Sequence, residues 1–362
     1  MSHHVVSTAA PHRAAIDHLM TSRTPPCPIH AQCGGCSEMH RPEADQFAAR
    51  SDWITRLLDR TPDRLVPSPR PLGYRARVSL RPDSAGRLGY FRPRTHTHVP
   101  VTDCTIARPE INAVLAALPP LPAGIASAEL RSDGEQVVLA ARRGKRHRGK
   151  VDRGALAALM SAGLKGVALD GAKIAGDPTT TLTIGGITHR LKPETFYQVN
   201  LEVNAEMVAL ITERVAELAP SRLLDLYAGA GNLSLPQAAA GVPVTLIESA
   251  RSSTTDAAAT IKRHGLSSVA EIRTGNADRF KAGDAFFDVA LLDPPRAGAQ
   301  KVIPQLLITR PAAILYISCN PNALMRDLRP ALAAGYRLDE VVLFEMFPQT
   351  PHVEVFVRLS RT

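Results

Sequence analysis

From Leu223 onward, short apolar runs alternate with helix-compatible stretches, and this alternation limits the possible folds more than any other feature of the chain. The runs are LLDLYAG (223–229), VTLIES (244–249), AEIRTGN (270–276), DVALLDPP (288–295) and AILYISCN (313–320). An amphipathic helix at about 203–218, VNAEMVALITERVAEL, precedes them. Near-continuous apolar strands separated by helices predict a parallel sheet covered on both faces. The last two runs, VVLFEMFP and HVEVFVRLS, are separated only by Gln349, Thr350 and Pro351. A link that short cannot make a parallel crossover, so these two runs are expected to pair antiparallel. The predicted fold class is α/β: a Rossmann-like domain closed by a reversed C-terminal β-hairpin.

In such a sheet, ligands sit outside the carboxyl ends of the strands. Gly229, Gly231 and Asn232 directly follow the first strand, where glycines let the backbone approach a ligand at a helix N-terminus. The third glycine of a dinucleotide fingerprint is absent, because Ser234 stands there. Glu248 ends the second strand, 19 residues after Gly229, placed to accept hydrogen bonds from ribose hydroxyls. Asn276 and Asp293 end the third and fourth strands. Asp293 also suits the turn before Pro294 and Pro295, a role compatible with a place in a site. These residues are expected to converge on one crevice, with Cys319 on the same rim. The reversed hairpin separates the two obvious readings: a simple NAD domain does not need it, whereas the class I S-adenosylmethionine methyltransferase fold ends that way.

The first half has a different texture. The pattern PEADQFAARSDWITRLLDR (42–60) puts Phe47, Ile54, Leu57 and Leu58 at helical spacing. Residues 72–104 read as short strands with turns. Residues 128–149 read as a hairpin turning at Asp133-Gly134, followed by the basic cluster Arg142, Arg143, Lys145, Arg146, Arg148 and Lys150. The net charge of +9 is one-sided: residues 1–160 carry 23 Lys and Arg against 14 Asp and Glu, and residues 161–362 carry 20 against 20. A surplus confined to one half suggests a surface that meets an anionic polymer, so RNA or another nucleic acid is the expected partner. No apolar run approaches the length needed to span a bilayer. The first residues show no basic start followed by an apolar core, so no secretory signal is read. A cytoplasmic protein, monomeric and away from membranes, is expected.

Five cysteines in 362 residues do not suggest a disulfide scaffold. Cys27-x5-Cys33-x2-Cys36, with Cys104 far along the chain, form a four-thiolate set. Zn²⁺ and an iron–sulfur cluster both accept four cysteines, and the spacing does not distinguish them. The tight spacing and Gly34-Gly35 make little sense as core filling. Cys319 is the one thiol outside the set. On position alone a buried structural thiol is the simpler reading. Against it, Cys319 lies at the tip of the fifth strand, where Asn320-Pro321 would hold it at the rim.

With these motifs in hand, the chain resembles the RNA uridine-5-methyltransferases. The resemblance rests on FYQVN (196–200), DLYAGAGNLSLP (225–236), LLDPPRAG (291–298), SCNPNALMRDL (318–328) and MFPQTPHVE (346–354), and on CPIHAQCGGC (27–36) and YFRPRTHTHVPVTDC (90–104). Together they span nearly the whole chain past residue 26, in family order. The resemblance implies that Gln198, Tyr227, Gly229, Asn232, Glu248, Asn276 and Asp293 line the S-adenosylmethionine and uridine pockets. It implies Cys319 as nucleophile and Glu354 as general base. It also favours [4Fe–4S] over zinc at Cys27, Cys33, Cys36 and Cys104. The sequence departs from the family at Ala228, often Cys; at Gln349, often His; and at Ala323, often Thr. None of these removes a reacting group.

The chemistry implied needs such a pair, because C5 of uracil is a poor nucleophile. Thiolate addition at C6 makes an enolate that can take a methyl group at C5, and a base then removes the C5 proton. The base must leave its stack to be reached, and Phe196, Tyr197 and Phe347 are candidate stacking partners. The expected organisation is a mobile leader (1–24), a cysteine segment and helix (25–62), a mainly β RNA-binding region (63–195) and the methyltransferase domain (196–362). The leader leaves no room for the extra RNA-binding barrel some relatives carry. Compact cluster-bearing relatives act on 23S rRNA and cluster-free ones on the tRNA T-loop, so ribosomal RNA is expected, with tRNA the alternative. A non-catalytic RNA-binding factor would predict a lost Cys319 or Glu354. An enzyme of free pyrimidine nucleotides would predict little need for the basic half.

Overall fold

The computed structural model describes residues 23–145, 149–281 and 286–361. Residues 1–22 of the expected leader, and Arg146 and Arg148 of the basic cluster, lie outside the described residues. Among the described residues the first helix and strand are α1 (Glu43–Leu58) and β1 (Arg64–Val66). The central region follows: β2 (Arg77–Pro82), β3 (Leu88–Phe91), β4 (His98–Pro100), α2 (Pro109–Ala117), β5 (Ile125–Ser132), β6 (Val137–Arg143), α3 (Arg153–Ala158), β7 (Gly166–Leu169) and β8 (Ala172–Gly176). Strands β2 to β8 form one seven-stranded sheet in the order β4-β3-β2-β5-β6-β7-β8. The β5–β6 hairpin turns where expected, with Gly134 in the left-handed region at φ 107°. A separate hairpin, β9 (Thr180–Ile184) and β10 (Ile187–Leu191), leads into α4 (Leu201–Leu218). Strands β7 to β10 have no counterpart in the sequence reading, because their apolar runs are short and interrupted by glycine.

The last part alternates as expected: β11 (Leu223–Leu226), α5 (Leu235–Ala239), β12 (Val244–Glu248), α6 (Arg251–Arg263), β13 (Ala270–Thr274), β14 (Val289–Leu292), α7 (Ile303–Thr309), β15 (Ala313–Ser318), α8 (Pro321–Ala333), β16 (Tyr336–Phe344) and β17 (Glu354–Arg361). The sheet order is β1-β16-β17-β15-β14-β11-β12-β13. Strands β11 to β15 run parallel, and β17 is antiparallel to both β15 and β16. The order reverses beside β11, which places a crevice at the carboxyl ends of β11 and β14. All residues of β11, β14 and β15 are buried, which is why these strands read as unbroken apolar runs.

The N-terminal helix belongs to this layer. Phe47, Ile54 and Leu58 of α1 pack into the apolar core on one face of the catalytic sheet, beside Leu324 and Leu328 of α8. Strand β1 extends the same sheet by pairing with β16. Polar contacts fix α1 to the loop before β17. Arg50 pairs with Glu345 and donates to the Thr350 carbonyl at 2.7 Å. Gln46 donates to Gln349 Oε1 at 3.0 Å and accepts from the Gln349 backbone N–H at 2.9 Å. Gln349, where the family often has His, is buried and has partners for its side-chain oxygen and nitrogen; it also takes a left-handed φ of 68°. Among the described residues no helix is long and apolar enough to cross a membrane.

Candidate active site

The turn after β11 is shaped by its glycines. Gly229 has φ 55°, and a side chain there would point into open space. Gly231 has φ 84°, and a Cβ there would strike Leu235. Tyr227, not a glycine, also takes a left-handed φ of 63°. That conformation costs about 1–3 kcal/mol in a non-glycine residue and persists where the surroundings impose it. Here the Tyr227 hydroxyl donates to Asp278 at 2.7 Å.

These tips border a cleft of about 660 Å³, within the usual size of small-molecule sites. Its walls include Gln198, Tyr227, Gly229, Glu248, Asn276, Asp293, Cys319 and Glu354. Eight of the residues singled out from the sequence therefore line one space. The Gly229 N–H donates to Glu248 at 3.0 Å and the Ala250 N–H at 2.6 Å, which aims the carboxylate at the end of β12. Asn276 caps the turn after β13 by accepting from the Asp278 N–H at 2.9 Å, so it has a structural task as well. Gln198 donates to Asp293 at 3.4 Å.

Asn232 is the exception. It lines a small adjoining cavity, which shares Gln198, Gly229 and Asp293 with the main cleft, and exchanges amide hydrogen bonds with Asn204 at 2.8 and 3.0 Å. Asp225 lines the same cavity and was not anticipated. It is 1% exposed, neither carboxylate oxygen has a partner among the described residues, and burial pushes its carboxyl up to about 8. Its one signal in the sequence is an acid in the apolar run LLDLYAG.

Cys319 and Glu354 meet because of strand register. Ser318 pairs with Val355 across β15 and β17, so the next residue beyond each, Cys319 and Glu354, lies at the same end of the pair. Asn320 fixes the exit from β15. Its side chain accepts from the Ala323 N–H to cap α8, and its amide donates to the Arg296 carbonyl at 2.8 Å. Burial, with Glu354 and Asp293 adding to it, pushes the Cys319 thiol up to about 11, while the positive charge of Arg296 opposes the shift. Glu354 is 2% exposed, and burial with the nearby Asp293 raises its carboxyl well above the usual range. Burial likewise raises Asp293 to about 7. A thiol and a carboxyl group at one cleft, both shifted toward their neutral forms by burial, can supply a nucleophile and a base.

The three aromatic candidates separate. Phe196 is 54% exposed at the cleft, with the Arg77 guanidinium 4.5 Å from its ring centre. Phe347 lines the same cleft. Tyr197 is buried, and its hydroxyl donates to the carbonyls of Ala76 and Ser132, so it is a core residue and not a stacking surface. The two adjacent rings differ in exposure, although the Arg77 guanidinium lies 4.5 and 5.7 Å from their centres.

Far from this cleft in sequence, Cys27, Cys33, Cys36 and Cys104 are free, half-buried thiols. Cys27, Cys36 and Cys104 pack against a small core of Met39, Tyr74, Ile106 and Val199. Burial pushes the Cys36 thiol up to about 12, and Cys104, Cys33 and Cys27 add to the shift. Among the described residues no group of three or more His, Cys, Asp or Glu is set at metal-holding distances. The donor chemistry, four soft thiols near one another without a disulfide, fits a tetrathiolate group. Gly34 also allows a close approach, since a Cβ there would strike Pro93.

A sequence model of the tRNA (Uracil-5-)-methyltransferase family matches residues 179–362. An uncharacterized RNA methyltransferase of Thermosynechococcus vestitus is 30% identical over 93% of this chain and 84% of its own length. The chain belongs to this family. Its members use S-adenosylmethionine to methylate C5 of uracil in RNA, and this chain is such an enzyme. The 23S rRNA (uracil(1939)-C(5))-methyltransferase RlmD of Pseudomonas aeruginosa is 31% identical over 92% of this chain and 79% of its own. The fold matches that of the Pyrococcus abyssi tRNA (uracil-54, C5)-methyltransferase, solved with S-adenosyl-L-homocysteine. That match has a TM-score of 0.75 and 21% identity, and covers 91% of this chain and 86% of that one.

Proposed function

We propose that this enzyme methylates C5 of one uridine in 23S rRNA, with Cys319 as nucleophile and Glu354 as general base. The observation that carries the proposal is the β15–β17 register, which sets both groups at one end of the sheet on a shared cleft. S-adenosylmethionine, when bound, supplies an electrophilic methyl group and a positive charge. Gln198, Tyr227, Gly229, Asn232, Glu248, Asn276 and Asp293 are the residues we assign to hold it and the target uracil. A cation in the cleft would favour the ionised forms of Asp293, Glu354 and Cys319, which all rise in its absence because their charges are buried together.

Cys319 Sγ adds to C6, and the C5–C6 electron pair moves to C5, stabilised as the enolate. C5 would take the methyl group as the methyl–sulfonium bond breaks, its electron pair staying on sulfur to leave a neutral thioether. Glu354 then removes the C5 proton, the electrons re-form C5=C6, and the C6–S bond breaks. The protonated Glu354 returns its proton to water. The positive charge of Arg296, which borders the same cleft, stabilises the thiolate before attack and after release.

We assign Cys27, Cys33, Cys36 and Cys104 to a [4Fe–4S] cluster, with zinc as the alternative, that ties the N-terminal segment to the central strands. The division at about residues 62 and 195 is part of this proposal, with 63–195 gripping RNA apart from β1, which extends the catalytic sheet. The choice of 23S rRNA is supported by relatives named for that substrate, which match more than nine-tenths of this chain. Tritium release from [5-³H]uridine-labelled 23S rRNA and tRNA tests the reading. Release from 23S rRNA by wild type and not by Cys319→Ala is expected. Release from tRNA alone would overturn the choice of RNA, and release from neither would overturn the uridine-C5 assignment.

A further inference from the structure

Cys319 lines two spaces. One is the main cleft. The other, of about 180 Å³, lies against Trp53 of α1, Pro321 at the start of α8, and Pro351 and His352 of the loop before β17. Arg296 borders both spaces. The walls of the second cleft are flat and largely apolar: an indole, two proline rings and an imidazole that meets the Phe347 ring edge-on at 6.1 Å. Trp53 is partly buried against the core, which fixes its ring, and partly open. Arg296 is exposed and has no ion-pair partner among the described residues; its side chain lies 3.4 Å from His352 Nε2 and lines both spaces with Cys319. A guanidinium between two clefts, with no carboxylate partner among the described residues, suits a phosphate, which it can hold bidentately.

A uridine drawn out of its stack stays tied to its neighbours through phosphates. With the target base in the main cleft, an adjacent nucleotide must pass the rim that Cys319 and Arg296 form. Unstacked bases are bound by aromatic faces, and Trp53, with the His352 imidazole, supplies them beside Cys319 on that side. We infer that the second cleft holds the nucleobase next to the target uridine against Trp53, while Arg296 takes the phosphate that joins the two nucleotides. This rests on the uridine-C5 reading above.

Trp53 is the only tryptophan in the chain, so intrinsic fluorescence reports on this cleft alone. The test uses the full-length enzyme with an RNA hairpin carrying the target uridine, intact or with an abasic ribose on one side or the other. Intact RNA should quench Trp53, and one of the two abasic RNAs should not. Stacking on an aromatic ring contributes about 1–3 kcal/mol per base, so that abasic RNA should show KM raised roughly 5- to 150-fold. Trp53→Ala should raise KM on intact RNA by a similar factor and add nothing on the abasic RNA. Trp53→Phe, which preserves packing, should fall between. Quenching and KM indifferent to both abasic sites, with the RNA still methylated, would overturn the inference and leave the enzyme assignment intact. Absence of tritium release from every RNA would overturn both.

Discussion

Cys36 and Cys319 are both half-buried thiols pushed above the ordinary value, Cys36 to about 12 and Cys319 to about 11. Burial leads in each case, but the neighbours that add to it differ. Around Cys36 they are other cysteines, Cys104, Cys33 and Cys27. Around Cys319 they are the carboxyl groups of Glu354 and Asp293, with Arg296 pulling the other way. The first group can ionise together only when a polyvalent cation compensates all four. The second ionises singly, in balance with an arginine and whatever cation enters the cleft. One residue type is thus prepared for two tasks, holding a cluster and attacking a base, by the company it keeps.

The largest expected effect separates the two groups directly. Cys319→Ala should lower turnover by roughly 10⁴-fold or more, as loss of a covalent nucleophile does. Anaerobically purified wild type should be brown with visible absorbance. Cys36→Ser should lose that colour and several degrees of Tm, yet keep measurable tritium release. If Cys36→Ser, still folded, were as inactive as Cys319→Ala, the division into cluster and reactive thiols would fail.

Next in size is Glu354→Gln, which should reduce turnover about 10²–10⁴-fold, the usual share of a general base. Unlike Cys319→Ala, it should accumulate an RNA–protein adduct on denaturing gels. Absence of that adduct would remove Glu354 from the proton-removal step. Both reacting groups act ionised and both titrate above their ordinary values, so kcat/KM should climb with pH from 6 to 9, by about tenfold per unit where one ionisation limits and up to about a hundredfold where both do, without a descending limb. A profile flat across that range would show that neither ionisation limits the free enzyme.

The smallest effect concerns stability. Asp225 binds its proton up to about pH 8 when folded, and only to about 3.8 when unfolded. Between those values the folded state holds more protons, so this carboxyl subtracts stability as pH rises. Asp225→Asn should therefore raise the Tm of the ligand-free enzyme at pH 8 by several degrees, with the gain shrinking toward pH 5. An equal gain at both pH values would point to packing instead of ionisation.

The catalytic sheet was legible because its strands are buried on both faces and its last connection is short. The rim was legible for the same reason: Glu248, Asp293 and Cys319 each end or directly follow a strand. What escaped depends on contacts distant in sequence. The seating of α1 on the catalytic sheet rests on Gln46 and Arg50 meeting Gln349 and Thr350, some 300 residues away. Whether Phe196 or Tyr197 faces the cleft is a matter of register that a period-2 pattern leaves open. Asp225 hid inside an apolar run, and Asn232 turned toward Asn204 on α4. The cleft beside Trp53 exists only because four separate segments meet there, around residues 53, 296, 319–321 and 351–353.

The central claim is that Cys319 bonds to C6 of the target uridine. It is tested most directly with RNA carrying 5-fluorouridine at that position, since fluorine cannot leave C5 as a proton does. Incubation with S-adenosylmethionine should trap a methylated RNA–enzyme adduct, and mass spectrometry of the digested complex should place the nucleotide on the peptide containing Cys319. An adduct on any other residue, or no adduct from enzyme that releases tritium from normal RNA, would contradict it.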